Sequence, residues 1–302
     1  MHVLSVSSLK GGVGKTTIAL GLASAAFTRG LRTLVVDLDS QCDASTGLGV
    51  SEDPSHTVLD VLKNPRHSVV TSSIVSSSWA KGRTGKLDVM VGSERAAAYD
   101  TTDPNVRDLY KLDHALAEVE TLYDLVIIDT PPSLNGLLRT AWTASERVLL
   151  VTEPGIFSVA ASEKGLQAIN ELHDELNRKL APVGVIANRV QANFAEHTFR
   201  LKELKERIGD SLLPLEVFER AAIQQAQGAA RGIHSWPGEG AAEIANVYND
   251  LLEIVTSSFN AEVSRSKRTR LRRSERKALS KKKQKKIANQ RGEANFNLED
   301  LA

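Results

Sequence analysis

A glycine-rich segment near the start of the chain, KGGVGKTT at residues 10–17, separates a short apolar run from a helical pattern. The run at residues 3–6 has the composition of a buried strand, and residues 17–29 place small apolar side chains on a broad helical face. A turn that joins a strand to a helix directs several backbone N–H groups toward one point, where the helix dipole adds partial positive charge. The segment therefore predicts a phosphate-binding loop. It restricts the chain to folds in which a strand of the sheet is followed by such a loop and then by a helix.

Each residue type in this loop has a predicted task. Gly11, Gly12 and Gly14 let the backbone come close to phosphate oxygens. Lys15 can reach the β- and γ-phosphates, and the hydroxyl of Thr16 can bind Mg²⁺. A chance glycine-rich turn is the alternative, but it does not explain why strand, GKTT and helix occur in register. The predicted nucleotide-binding residues of the loop are Gly11, Gly12, Val13, Gly14, Lys15, Thr16 and Thr17.

Apolar runs with strand composition alternate with helical patterns beyond this loop. Several of the runs are continuously apolar, as expected when both faces of a parallel sheet are covered. The order of strand and helix predicts an α/β fold with a doubly wound, mainly parallel sheet. Residues 51–86 are less regular, and we predict short helices and loops there. The six predicted strands lie at residues 3–6, 33–37, 87–91, 125–129, 148–151 and 183–187.

The formal net charge of +1 conceals an uneven distribution of charge over the 302 residues. The segment 265–291 holds fourteen Lys or Arg and one acid, Glu275, whereas residues 1–264 hold 24 basic residues and 33 acids. The segment has too few apolar residues to bury much surface. We therefore predict a P-loop domain over residues 1–263 and a basic tail over residues 264–302, disordered or partly helical.

The composition excludes several other classes of protein. A single cysteine, Cys42, rules out a disulfide framework. No apolar run approaches the ~18 residues that a membrane span requires, and the first residues do not resemble a signal peptide. His173 and His197 fall in helical stretches and form no metal or nucleophile constellation. We predict a soluble, cytoplasmic protein.

Carboxylates follow two of the predicted strands, at the end where ligands bind in parallel sheets. Asp37 ends the strand at 33–37 and Asp39 follows two positions later, and Asp129 ends the strongly apolar strand at 125–129. An aspartate at the end of an apolar strand is typical of a site that holds Mg²⁺, directly or through water. For the pair at 37 and 39 alone, a solvated loop would be the alternative, but the phosphate loop upstream favours function. The predicted metal-binding residues are Thr16, Asp37 and Asp129.

The form KGGVGKTT departs from the standard P-loop, because Leu9 replaces the first glycine and Lys10 follows it. This deviant Walker A motif resembles that of the ParA/MinD family of P-loop ATPases, and the resemblance covers roughly residues 1–260. It implies that the chain binds and hydrolyses Mg·ATP and forms an ATP-sandwich homodimer. In such a dimer Lys10 would reach the partner's nucleotide, with the effect of an arginine finger.

The same resemblance assigns further residues. Asp39 matches the residue that positions the attacking water, Asp37 matches the neighbouring switch carboxylate, and Asp129 and Pro131 match switch II. Catalytic roles are thereby expected for Lys10, Lys15 and Asp39. The family usually has a proline where this chain has Ser40, which leaves both carboxylates in place.

The adenine pocket is less well defined by the sequence. Asn188, in the stretch VIANRV at residues 185–190, resembles a family asparagine that contacts adenine, with a strand-end cap as the alternative. Many ParA proteins carry Ile-Pro-Arg before the last helix, and residues 216–220 do not match it. Phe218 in that stretch could stack on the base or serve as an ordinary core or surface aromatic.

The basic tail bears on which branch of the family the chain resembles. MinD-type members end in an amphipathic membrane helix, whereas ParA-type members bind DNA nonspecifically and move a cargo through a ParB-type partner. The tail lacks an insertion face, so we predict nonspecific DNA binding, a ParB-like partner and nucleoid association.

The alternative is a MinD-like, membrane-associated regulator of division-site placement, whose tail would bind anionic lipid. A tail that is merely solvated is another alternative. A metal-cluster carrier of the superfamily would need a CxxC motif. The predicted DNA contacts are Arg268, Arg270, Arg272, Arg273, Lys281, Lys282, Lys283, Lys285 and Lys286.

Overall fold

The structure, a computed structural model, describes residues 1–50, 54–176 and 179–260. The chain divides into two compact units, Met1–Val255 and Thr256–Ala302. The predicted DNA-binding side chains between residues 268 and 286, and the predicted boundary at 263/264, lie outside the described residues and stay predictions. Among the described helices, none is long and apolar enough to cross a membrane.

Eight strands of the first unit form one sheet, in the order β3-β4-β2-β5-β1-β6-β7-β8. The neighbouring strands are parallel, except that β3 runs antiparallel to β4. The predicted α/β fold with a doubly wound, mainly parallel sheet is therefore confirmed. The strands are β1 His2–Ser7, β2 Thr33–Asp37, β3 Ile74–Ser76, β4 Leu87–Met90, β5 Leu125–Asp129, β6 Arg147–Thr152, β7 Ala181–Val190 and β8 Leu212–Phe218.

Helices connect the strands and cover the sheet. Short 3₁₀ turns lie at Ser78–Ala80, Glu94–Tyr99, Glu120–Leu122, Gly209–Ser211 and Ile233–Ser235. The α-helices are α1 Lys15–Thr28, α2 Asp43–Gly47, α3 Val58–Lys63, α4 His67–Ser72, α5 Val106–Leu109, α6 Lys111–Ala117, α7 Gly136–Ala144, α8 Ser158–Leu176, α9 Ala195–Ile208, α10 Ala221–Gly228 and α11 at residues 239–260.

The central strands are buried on both faces. Every residue of β2, β5 and β6 is buried, which explains their continuously apolar sequences. Leu34 and Val36 pack into one core with residues of α3, α6 and α7. Because side chains alternate along a strand, Val35 points to the opposite face, and α1 packs on β1, β2 and β5. The sheet is thus a rigid platform, and the loops at its carboxyl end carry the site.

Two strands were not predicted from the sequence. β3 lies in the serine-rich part of the stretch for which short helices and loops were expected, and it has only three residues at the sheet edge. β8 is the opposite edge strand, is only partly buried and contains Pro214. Proline is tolerated at an edge, but a proline inside an apolar run argues against a strand, so the stretch LLPLEVF of β8 is not recognised as one. β3 is too short for its composition to identify it.

Candidate functional site

The glycine-rich segment forms the loop between β1 and α1. Gly12 has φ 79° and Gly14 has φ 88°, both in the left-handed region that favours glycine. Gly14 directly precedes α1 and has no side chain with which to cap it. The N–H groups at the start of α1 are therefore free of a capping side chain from that position, as an anion site at a helix N-terminus requires.

A cleft of about 550 Å³ opens over this loop. Its volume lies within the range of small-molecule binding pockets. The phosphate loop and the start of α1 form one wall, and the loops after β2 and β5 contribute others, as expected for ligands beyond the carboxyl ends of parallel strands. The lining residues are Gly11, Gly12, Gly14, Lys15, Thr16, Thr17, Asp39, Ser40, Gln41, Asp43, Ala97, Asp100, Pro131, Pro132, Ser133, Leu137 and Arg189.

Two buried aspartates end the neighbouring strands β2 and β5. Asp37 and Asp129 are register partners in this parallel pair, and both are completely buried. Asp37 Oδ2 accepts hydrogen bonds from the backbone N–H and the hydroxyl of Ser45, both at 2.7 Å. Asp129 Oδ2 accepts one from the hydroxyl of Thr16 at 2.6 Å. The fold thus brings together the three predicted metal-binding residues, which come from distant parts of the sequence.

The second oxygen of each carboxyl group suggests what the pair could hold. Asp37 Oδ1 and Asp129 Oδ1 are buried and have no hydrogen-bond partner within the described part of the chain. Such an atom is costly unless a ligand compensates for its lost hydration. Mg²⁺ takes oxygen ligands and is usually held by one or two carboxylates together with substrate phosphates. The described residues contain no group of three or more His, Cys, Asp or Glu side chains that could hold a metal by themselves. The two carboxylates therefore fit a Mg²⁺ site in which the phosphates of a nucleotide supply further ligands.

Burial changes the protonation of these two carboxyl groups. It raises the pKa of Asp129 to about 8, and the nearby charge of Asp37 adds to the shift, against the hydrogen bond from Thr16 and the cation of Lys15. Burial also raises the pKa of Asp37 to about 6, although the hydrogen bonds from Ser45 oppose the rise. Without a cation, the carboxyl group of Asp129 therefore retains its proton near neutral pH, whereas Asp37 is mostly ionised there, and a bound divalent cation would displace the proton of Asp129.

This protonation leads to a prediction for the metal-free protein. The unfolded chain releases both protons near pH 4, whereas the folded chain holds the proton of Asp37 up to about pH 6 and that of Asp129 up to about pH 8. The free energy of unfolding should therefore fall as the pH rises through this window. Asp129→Asn should flatten the fall and be at least as stable as the wild type at pH 8, measured by urea unfolding in EDTA. Asp210→Asn, at an exposed position, is the control, and equal pH slopes in Asp129→Asn and wild type would contradict the prediction.

Asp39 occupies a different environment from Asp37. β2 ends at Asp37, so the alternation of the strand does not extend to Asp39. Asp39 lies in the loop that follows, where its Oδ1 accepts the backbone N–H of Gln41 at 3.1 Å. It lines the cleft, whereas Asp37 does not. Asp39 is thus nearly buried but borders the cleft, whereas Asp37 is completely buried at the strand end.

The two lysines of the loop also differ in their surroundings. Lys15 is the first residue of α1, is only 7% exposed and lines the cleft. Lys10 is about one-third exposed, and its Nζ donates to Glu153 Oε1 at 2.5 Å, just beyond β6. Lys15 is therefore directed into the cleft, and Lys10 is held by a side chain of its own protomer.

Neither of the two sequence candidates for the base pocket is among the residues that line the cleft. Asn188 is buried near the end of β7, and its Nδ2 donates to the carbonyl of Val13 at 2.8 Å. Phe218 ends β8, with the guanidinium carbon of Arg220 at 5.5 Å from its ring centre. Contact of Asn188 with adenine stays a prediction.

Sequence reasoning missed several side chains that contact the predicted residues. Ser45 binds Asp37, Glu153 binds Lys10, and Arg189 donates from Nη1 to the carbonyl of Gly12 at 2.6 Å. None belongs to a motif. Only the position of Glu153 and Arg189 at the ends of predicted strands pointed toward the site.

Comparisons with known proteins show which families and folds this chain resembles. The model of a family described as "AAA domain" matches residues 1–182. The chain is 31% identical over 188 residues to a ParA family protein of the Chlamydia psittaci virulence plasmid, covering 62% of this chain and 68% of the relative. It is 26% identical over 258 residues to the sporulation initiation inhibitor protein Soj of Bacillus subtilis, covering 85% and 98%.

A solved structure shares the fold. The ATP complex of a Cyanothece McdA variant superimposes with a TM-score of 0.72 at 18% identity, covering 85% of this chain and 96% of that one. At this identity the likeness concerns the fold alone.

Proposed function

We propose that this chain, which belongs to the ParA family of P-loop ATPases, hydrolyses Mg·ATP and uses the cycle to position DNA or a protein cargo. The observation that carries the proposal is the pair of carboxylate oxygens, Asp37 Oδ1 and Asp129 Oδ1, that have no hydrogen-bond partner among the described residues, together with the hydrogen bond that Thr16 of the phosphate loop donates to Asp129 Oδ2. A loop for phosphates and a pair of carboxylates for a cation meet at one end of the sheet. This combination is what binding of a metal–nucleotide complex needs.

Each part of the site has a task in the proposed reaction. The backbone N–H groups of the loop and the ammonium of Lys15 bind the phosphates and balance the charge that develops on them. Thr16, Asp37 and Asp129 would hold Mg²⁺, directly or through water, and the ion would neutralise charge on the β- and γ-phosphates. Asp39 lines the cleft and orients the attacking water by accepting a hydrogen bond from it.

Lys10 has a separate proposed task in a homodimer formed on ATP binding. Its side chain is near the surface and about one-third exposed. The proposal is that Lys10 exchanges Glu153 for the nucleotide of the partner protomer, where its charge stabilises the transition state. Hydrolysis would then depend on dimer formation as well as on the residues of a single cleft.

In this proposal the ATPase binds DNA without sequence preference, and a ParB-like partner connects the ATPase to its cargo. Residues 265–291 carry fourteen Lys or Arg, whereas residues 1–264 have more acids than bases. A body with this charge repels a polyanion on most faces, so affinity must come from the tail or from basic groups that dimerisation brings together. This function would place the protein on the nucleoid in the cytoplasm. A relative from Caulobacter vibrioides, 28% identical over 230 residues, is named chromosome partitioning protein ParA, which supports partition as the process.

Truncation after Val263 tests this role of the tail. If about eight basic residues of the tail neutralise phosphates, the logarithm of the DNA affinity should fall with the logarithm of salt concentration at a slope near −7. The truncated chain should bind DNA more weakly and with a flatter slope, measured by fluorescence anisotropy with ATP and with ADP. Wild-type affinity in the truncated chain would rule out the tail as the DNA contact.

Two controls sharpen this measurement. ATP binding by the truncated chain should equal that of the full chain, which shows that the cleft is intact. Anionic vesicles offered in place of DNA test the membrane alternative, and ATP-dependent binding to vesicles but not to DNA would favour a MinD-like role.

A further inference from the structure

Two consecutive side chains at the end of β7 hold two consecutive carbonyl groups of the phosphate loop. Asn188 Nδ2 donates to the carbonyl of Val13 at 2.8 Å, and Arg189 Nη1 donates to the carbonyl of Gly12 at 2.6 Å. Asn188 is 2% exposed, and Arg189 is exposed and lines the cleft. The loop between β1 and α1 is thus fastened by a strand more than 170 positions away in the sequence.

An irregularity in β7 directs Arg189 toward the loop. Asn188 pairs with Val217 of β8, and Val190 pairs with the very next residue, Phe218, so that Arg189 is an extra residue in β7. Arg189 has φ 55°, a left-handed conformation that is unfavourable for a residue with a side chain. A bulge of this kind re-aims a side chain, and such bulges occur often beside active sites. The strain is understandable if the position of the guanidinium matters.

The planarity of the peptide bond turns these two contacts into an orientation of the loop. In a trans peptide the C=O and the following N–H point in opposite directions, and the described chain contains only trans peptides. Holding the carbonyls of Gly12 and Val13 therefore turns the N–H groups of Val13 and Gly14 away from the β7 side chains. These are donors of the kind that bind phosphate in such a loop.

Asn188 approaches the loop so closely that it also restricts the loop sequence. A Cβ placed on Gly14 would lie 2.3 Å from Asn188 Nδ2, and Gly14 has φ 88°. Glycine is therefore required at position 14 both by its backbone conformation and by the amide packed against it. The amide Nδ2 of Asn188 thus contacts the loop backbone at both Val13 and Gly14.

We propose that Asn188 and Arg189, here called the β7 brace, are positioning residues that orient the phosphate-binding N–H groups of the loop. Through these N–H groups the two side chains affect binding of the phosphates and not of the base. The inference rests on the proposed nucleotide site and adds residues that the loop motif does not contain. A base contact by Asn188 is the competing assignment, and the two make opposite predictions for a ligand that has phosphates but no base.

The experiment compares Mg·ATP with Mg·tripolyphosphate on the full chain and on Asn188→Ala and Arg189→Ala, by calorimetry or by displacement of a fluorescent ATP analogue. If the brace orients the loop, each variant should lose about tenfold in affinity for both ligands, the effect of one lost hydrogen bond to a charged or buried group. Arg189→Lys should recover part of the loss. Arg207→Ala, an exposed arginine on α9, is the matched control and should bind both ligands like the wild type.

Hydrogen–deuterium exchange in the nucleotide-free protein provides the second measurement. Both Ala variants should exchange faster in the peptide that covers residues 10–16, while the rest of the described sheet keeps wild-type protection. A side chain that touched only bound phosphate would leave this exchange unchanged.

The possible failures are distinguishable. If Asn188→Ala lowers the affinity for ATP but leaves the affinity for tripolyphosphate unchanged, Asn188 contacts the base, and the proposed role of the β7 brace is wrong. Wild-type exchange of residues 10–16 in both variants would also overturn it. A wild-type chain that binds neither ATP nor tripolyphosphate would instead remove the proposed nucleotide site itself.

Discussion

Lys15→Ala is expected to lower the affinity for ATP by about three orders of magnitude. Lys15 is nearly buried at the first turn of α1 and lines the cleft. It also lies close enough to Asp129 to oppose the rise in the pKa of that carboxyl group. A triphosphate bound there without the ammonium would leave charge in a poorly solvated site, and the loss of one partner of a buried ion pair costs about 3–5 kcal/mol.

The measurement is the dissociation constant of Mg·ATP by calorimetry or by a fluorescent analogue. Lys202→Ala removes a lysine from an exposed position on α9 and controls for the loss of one positive charge. Thermal unfolding without nucleotide checks that Lys15→Ala folds. A folded variant with unchanged affinity for ATP would show that the phosphate site has been placed wrongly.

Asp39→Ala is expected to lower the rate of ATP hydrolysis by about a hundredfold while it changes ATP affinity much less. Asp39 lines the cleft near the phosphate loop, and its carboxyl group also accepts a backbone N–H from its own loop, so it is preoriented. A positioned base or water-orienting group typically contributes 10²–10⁴-fold to a rate. The loss should therefore appear in turnover rather than in binding.

Asp43→Ala is the matched control for this variant, because Asp43, the first residue of α2, is an acidic residue that lines the same cleft. If only the negative field of the loop mattered, the two variants would behave alike. Steady-state turnover and the dissociation constant of ATP should be measured on both. Equal turnover in wild type and Asp39→Ala would remove the proposed role of Asp39 in orienting water.

The loops that contain Lys15 and Asp39 show how much of the site can be predicted from short stretches of sequence. Glycines at 12 and 14 are required by their backbone conformation, and a lysine after them can reach phosphates, so the sequence alone was enough to recognise the loop. The carboxylates were recognisable because Asp37 and Asp129 end strands whose apolar composition reflects complete burial. In each case the signal lies within a few residues.

The supporting contacts could not be predicted in this way. Ser45 reaches Asp37 only because α2 follows the loop after β2. Glu153 meets Lys10 because β1 and β6 are adjacent in the sheet. A strand order depends on which long-range pairings bury most surface, and a single sequence holds no local record of that choice.

The sequence by itself determined the class of fold, the phosphate loop and the acidic residues that face it, because periodicity, glycine conformation and strand-end chemistry are local properties. Only the tertiary structure decided which of those residues meet. It made Asp37 and Asp129 register partners of β2 and β5 and gave one oxygen of each no hydrogen-bond partner within the described residues. It also placed Asn188 and Arg189 on the carbonyls of the loop through a bulge at the end of β7. Such contacts depend on strand order and register, which arise from the packing of the whole sheet.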